Sequence, residues 1–230
     1  MVLLPLKDDN PLKFIWFQFA TVTLIVINVA VFAWQQSLGE AGLVTVAQTA
    51  GVTPVLVFGA KLPAWLGSLP SEVTLVTYMF LHGDWWHLGG NMLFLWVFGD
   101  NIEDAMGPIR FVLFYMLTGV AAGLAHVYMN PGSEAPLIGA SGAIAGIIGA
   151  YLMLYPRVRM WSLAFMRIPI KLPAFVVIGA WVATQVFFVY AGIQDGTAWW
   201  AHIGGFVAGV LLVVIFKRGD QPLFGGAPQS

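Results

Sequence analysis

Hydrophobic residues come in blocks along this chain, and six apolar stretches stand out, at about residues 14–34, 85–99, 111–129, 139–155, 172–191 and 198–216. Blocks approaching about 20 residues have the length of a helix that crosses a hydrocarbon core. Backbone amides in hydrocarbon must find partners within their own segment, and none of the six shows the alternation of a membrane barrel strand, so each predicts a helix. The first is too long for the apolar region of a signal peptide and no A-x-A pattern follows it; it reads as a retained anchor. A seventh block, residues 42–60, is apolar enough for a span but contains Gln48, several Thr and Pro54. Residues 35–84, punctuated by Pro54, Pro63 and Pro70, read instead as a long outer loop, partly embedded, with short helical pieces packed against the bundle.

Lys and Arg orient such a bundle, because cytoplasmic loops carry the excess of both. With the N-terminus inside, residues 1–13, 100–110, 156–171 and 217–230 are cytoplasmic and hold Lys7, Lys13, Arg110, Arg157, Arg159, Arg167, Lys171, Lys217 and Arg218, leaving only Lys61 outside. The predicted fold class is all-α: a six-transmembrane-helix domain over 14–216 with both termini cytoplasmic. The tail, 217–230, reads as disordered from its Gly, Pro and Gln. Composition agrees, since 59% of the 230 residues are hydrophobic and 9% charged, against roughly 25% charged in a soluble domain. A net charge of -1 without a basic face excludes a nucleic-acid partner. The absence of Cys removes disulfides, a thiol nucleophile and cysteine zinc sites.

Polar residues inside spans are costly, so each is a functional candidate. The topology gathers all 4 histidines at one side: His82 and His87 at the outer end of span two, His126 near that of span three, His202 near that of span six. Ser141 opens span four from the same side. From Ser141 to Tyr155 is only 15 residues, shorter than the core at about 1.5 Å per residue, so the serine starts below the outer surface. It sits at a helix N-terminus whose first amides have no intrahelical partner, an arrangement that also suits a simple N-cap. Small residues recur through spans four and six, with Gly142 beside Ser141 and Gly205 and Gly209 below His202; such stripes let backbones approach closely. Close packing of the two spans brings His202 to Ser141, and since neither span holds an Asp or Glu, the pair is a dyad. His87 and Asn91, four apart, share a helix face.

A zinc site fits poorly, because H-E-x-x-H is absent and His82 and His87 are five apart. An aspartyl protease needs two carboxylates within spans, whereas Asp100 and Asp104 lie in or beside one cytoplasmic turn. Neither a metal nor a cofactor is expected. The alternative to an enzyme is a non-catalytic binding or transport protein on the same helical frame; the inverted repeats of a transporter are not seen.

Gly139-Ala140-Ser141-Gly142 opening a short fourth span, Ala201-His202-x-Gly-Gly in the sixth, His82-x4-His87-x3-Asn91 in the second, the Asn101-x-Glu103 turn and the G-x-x-x-G of Gly205 and Gly209 together resemble the rhomboid intramembrane serine proteases over about residues 14–216. The resemblance implies a six-helix fold, a water-filled cavity opening to the outer face and cleavage of single-span membrane proteins in or near their transmembrane helix. It implies that Ser141 is the nucleophile and His202 the general base, with His87, Asn91 and the Ser141 amide forming the oxyanion hole. His82, Gly139, Gly142, Gly205 and Gly209 then support the site, and Phe187 and Phe188 in span five are candidate gate residues at the depth of the dyad. Expected partners are the lipid bilayer and transmembrane protein substrates, and short tails point to a bacterial inner membrane. Two positions depart from the family pattern. Ala145 stands where several members carry an aromatic residue beneath the histidine, so the orientation of His202 must come from elsewhere. The first outer loop has no Arg to complete the family's Trp-Arg pair, which leaves the loop to be anchored by other contacts.

Overall fold

The computed structural model describes residues 3–60, 69–193 and 196–225, so Lys61, Pro63, Asp195 and the last residues of the tail lie outside it. In chain order come strand β1 (Leu3–Asp8), helices α1 (Phe19–Ser37), α2 (Gly39–Ala50), α3 (Pro54–Val57) and α4 (Ser71–Thr77), and a 3-10 turn at Tyr78–Phe80. Helices α5 (Trp85–Met106), α6 (Pro108–Met129) and α7 (Ser141–Leu154) follow, then strands β2 (Arg159–Ala164) and β3 (Ile168–Pro173) and helices α8 (Ala174–Tyr190) and α9 (Trp199–Phe216). Each of the six apolar stretches falls on a helix: α1, α5, α6, α7, α8 or α9. Among the described residues α1, α6 and α9 are long and apolar enough to cross a membrane, while α7 and α8 are apolar but shorter. The block at 42–60 is not one helix. α2 stops at Ala50, Gly51 is extended and α3 restarts at Pro54, where proline, having no amide to donate, fits a first turn.

α7 is the axis of the bundle, buried along almost its whole length against α9, α6 and α5. Its small residues permit this. A Cβ on Gly209 would lie 2.0 Å from the Gly146 carbonyl oxygen, and one on Gly149 2.5 Å from that of Phe206, so α7 and α9 meet main chain to main chain.

The all-α expectation needs one correction. β1, β2 and β3 form an antiparallel sheet in the order β1-β2-β3, at the end of the bundle where α7 stops and α8 begins. The reason is legible in β2, where exposed Arg159 and Trp161 alternate with buried Met160, Ser162 and Ala164, the period of a strand with one face covered. The prolines Pro5, Pro169 and Pro173 fall on the two edge strands, where a missing amide costs no ladder bond.

Two carboxylates close this same end. Glu103 accepts from the Ala20 and Thr21 amides and the Thr21 hydroxyl at 2.8–2.9 Å, satisfying the start of α1, and Asp104 accepts from the amides of Lys13, Phe14 and Ile15. The first part of the tail, expected to be disordered, is ordered through Phe224. The Arg218 amide donates to the Ala105 carbonyl and the Phe224 amide to that of Met153, and the Arg218 guanidinium lies over the Phe14 ring. Composition misses this because the bonds are made by main chain, which every residue carries.

At the opposite end, the described parts of residues 35–84 are held without an arginine. Gln35 and His82 exchange side-chain to main-chain bonds, Thr77 Oγ1 donates to the Ala50 carbonyl, and Val52 pairs with Leu137. The Tyr78 hydroxyl donates to the Gly119 carbonyl, and the Gly139 amide donates to the Tyr78 carbonyl at 2.9 Å. The segment thereby grips the loop that delivers Ser141.

Candidate active site

Ser141 is the first residue of α7 and His202 lies in the first turn of α9. The main-chain contact between the two helices sets His202 Nε2 2.9 Å from Ser141 Oγ. That is hydrogen-bond distance for a hydroxyl and an imidazole able to take its proton. Both line a cavity of about 1110 Å³ together with His87, Asn91, His126, Trp181, Phe188 and Trp199.

His87 reaches the cavity from the first turn of α5, which Asp84 caps by accepting from the Trp86 and His87 amides at 2.8 and 2.9 Å. The Gly83 amide donates to His87 Nδ1 at 3.4 Å. With Nδ1 an acceptor, the ring proton belongs on Nε2. Nε2 lies against Gly139, where a Cβ would be 2.6 Å from it and where φ is +121°. Glycine is required there on both counts, by the backbone conformation and by the ring. One turn along α5, the Asn91 side chain is buried, and its Nδ2 has no hydrogen-bond partner among the described residues. His82 is fully buried behind His87, with ring centroids 5.0 Å apart, and its main chain rather than its ring bonds to Gln35. It therefore backs the site without lining it. Gly142 packs on Ala122 and the Tyr78 hydroxyl.

A sequence profile of the Rhomboid domain matches residues 70–219. The chain belongs to the rhomboid family. This rhomboid, an integral membrane protein, is 30% identical over 150 residues to Rhomboid protein 1, mitochondrial, of Saccharomyces cerevisiae, covering 61% of this chain and 41% of that protein. It is 30% identical over 158 residues to Rhomboid-like protein 11, chloroplastic, of Arabidopsis thaliana, covering 66% and 55%. Rhomboid protease GluP of Bacillus subtilis is 30% identical over 178 residues, covering 69% and 32%. The rhomboid thus spans about half the length, or less, of these curated relatives. Since they include mitochondrial, chloroplastic and bacterial proteins, the likeness assigns a membrane and not one particular compartment.

The two candidate gate residues part company in this rhomboid. Phe188 lines the cavity and stacks on Trp199 at 4.6 Å, whereas Phe187 is 60% exposed and lines an outer apolar groove with Val186 and Tyr190. Successive helix residues point about 100° apart, and here that turns Phe188 inward and Phe187 outward. Two residues of α8 that carry no motif in the sequence, Gln185 and Trp181, also face the imidazole. Gln185 Oε1 lies 2.7 Å from His202 Nδ1, and the Trp181 ring lies 5.9 Å from the imidazole. The available signal was Thr184-Gln185, the one polar pair in the otherwise apolar α8.

Proposed function

We propose that this rhomboid is an intramembrane serine endopeptidase that cleaves single-span membrane proteins in or near their transmembrane helix. The observation that carries the reading is the 2.9 Å contact between Ser141 Oγ and His202 Nε2 within a cavity. Ser141 Oγ attacks the scissile carbonyl carbon while His202 Nε2 takes its proton. The carbonyl oxygen becomes an oxyanion, which receives hydrogen bonds from His87 Nε2–H, Asn91 Nδ2 and the Ser141 amide. Two features support those roles: the Gly83 bond that leaves a proton on His87 Nε2, and the unpartnered Asn91 donor, which is costly to bury unless a ligand meets it. Collapse breaks the C–N bond, and the amine leaves with the proton from His202. Water, giving a proton to His202, then attacks the Ser141 ester, and as the C–Oγ bond breaks His202 returns the proton to Ser141 Oγ and the acid leaves. The steps use no metal or cofactor.

The proposal includes six crossings, both termini cytoplasmic and a cavity open to the outer face. The Lys and Arg asymmetry supports this orientation. A bacterial cell membrane is the setting we assign. The test is a fluorophosphonate probe, together with cleavage of a single-span helix reconstituted in vesicles. Labelling and cleavage should both depend on Ser141 and His202. Labelling that survives Ser141→Ala would overturn the assignment.

A further inference from the structure

α8 is apolar except at Thr184 and Gln185, and the two polar side chains differ in what they bond. Thr184 Oγ1 donates to the Ala180 carbonyl of its own helix. Gln185, only 4% exposed, looks both ways: its Nε2 donates to the Trp181 carbonyl at 2.9 Å and its Oε1 faces His202 Nδ1 at 2.7 Å. A main-chain carbonyl can only accept, so it fixes which end of the amide is NH2 and which is oxygen. The oxygen must then meet a donor. The proton of a neutral His202 therefore belongs on Nδ1, and its lone pair on Nε2, facing Ser141 Oγ.

We propose that Gln185 is a positioning residue for the proteolytic site, holding His202 in the Nδ1–H tautomer with Nε2 directed at Ser141. This rests on the reading of Ser141 and His202 as nucleophile and base. It supplies from α8 the orientation that Ala145 cannot give from α7. The rings of Trp181 and Trp199, 5.9 and 6.0 Å from His202, limit its tilt, but neither offers an acceptor to choose a tautomer. A neutral amide oxygen aims the imidazole without adding a negative charge beside it. Among the described residues, the other titratable groups lining the cavity with His202 are His87 from α5 and His126 from α6.

The experiment combines two readouts on full-length protein in detergent micelles. The first is the 15N spectrum of histidine-labelled protein, with the His202 signals assigned by their loss in His202→Gln. Wild type should show a protonated Nδ1 and an unprotonated Nε2, and Gln185→Leu a mixture of tautomers. An Nε2–H form in wild type overturns the proposal even if the protein is a protease. The second is cleavage as a function of pH. Gln185→Leu should lower kcat by about 100-fold, the scale of a misplaced reacting group, with KM within about twofold. Gln185→Glu restores an acceptor and should recover much of kcat. Its added charge favours the imidazolium, so the acidic limb of the kcat/KM profile should move to higher pH. Equal losses in both variants with an unmoved limb would assign Gln185 to packing and overturn the proposal. If Gln185→Leu does not insert stably, Gln185→Glu and Gln185→Ala decide by the same criteria. A wild-type protein with the expected tautomer but no Ser141 labelling would instead overturn the protease reading.

Discussion

A side chain on Gly205 would begin 2.0 Å from the Gly142 carbonyl oxygen, next to Ser141 in sequence. The nearest groups are the main chain of α7 and, at 3.3 Å, the Ala122 Cβ of α6, and neither is the end of a flexible side chain. Gly205→Val must therefore push α9 away from α7, and a displacement of about 1 Å at a reacting pair costs about 100-fold in rate. The expected outcome is a membrane-inserted protein with at least that loss in cleavage and in probe labelling of Ser141. Normal labelling of a stably inserted variant would remove the positioning role of this contact. Gly205→Ala should show the same sign, because Cβ alone already meets the carbonyl.

In the proposed mechanism, replacing His87 or Asn91 with Ala removes a donor that meets charge only as it develops. Each change should lower kcat by about 100- to 1000-fold with little change in KM, whereas Ser141→Ala should abolish turnover. Steady-state kinetics on one embedded substrate separates the cases. A loss confined to KM would place His87 and Asn91 in substrate binding.

Phe188 and Phe187 give a paired test of access along α8. Phe188→Ala opens the cavity wall and should speed cleavage of a membrane-embedded helix more than that of a soluble peptide. Phe187→Ala, on the outer groove, should leave the ratio unchanged. Equal acceleration of both substrates by Phe188→Ala would remove the gate.

Orientation is testable with single cysteines in this cysteine-free chain. Position 162 is a poor site, because Ser162 is buried in the sheet, whereas Met166 at the hairpin tip is 58% exposed. Met166→Cys should resist an impermeant maleimide applied from outside and react once the membrane is permeabilised. Reaction from outside would invert the topology.

Asp8 gives the sheet end a pH dependence. Burial raises its carboxyl from 3.8 to about 6, against the opposing effect of a hydrogen bond donated by the Tyr151 hydroxyl. The folded state therefore holds a proton that the unfolded chain has lost between these values. This contribution to stability is fully present below about 4 and is lost as pH rises through about 6. The thermal midpoint in detergent should fall over that window, and Asp8→Asn should flatten the fall. A midpoint that climbs with pH in wild type and not in the variant would contradict the sign.

The features legible in the sequence share a property: their signal is local. The blocks that became α1 and α9 announce themselves by apolar length, and Ser141 and His202 lie in spans otherwise made of small and apolar groups. The sheet escapes the sequence because β1 pairs with residues about 150 positions away, and because the covered face of β2 holds Ser162 and Ala164 beside Met160, so its alternation shows in burial and not in hydrophobicity even though β3 follows by a short hairpin. Gln185 was missed for a related reason. A glutamine in a 17-residue helix says that a partner exists, not that the partner is an imidazole on the next helix. The main-chain grip of residues 35–84 on the serine loop leaves no trace in side-chain identity at all.

The fastening of α8 has a mechanical consequence. Its sheet end is pinned, with the Ala174 amide donating to the Val158 carbonyl and the Phe175 amide to that of Pro156. Any tilt of the helix must then pivot about that end, like a lever with its fulcrum at Pro173. Gln185 rides about 18 Å along the arm at about 1.5 Å per residue, so a tilt of roughly 10° carries it about 3 Å. That travel exceeds the slack of a hydrogen bond. A helix that leans out far enough to widen the cavity also lets go of the His202 ring, which regains the aim its proposed role as base requires only when the arm swings back.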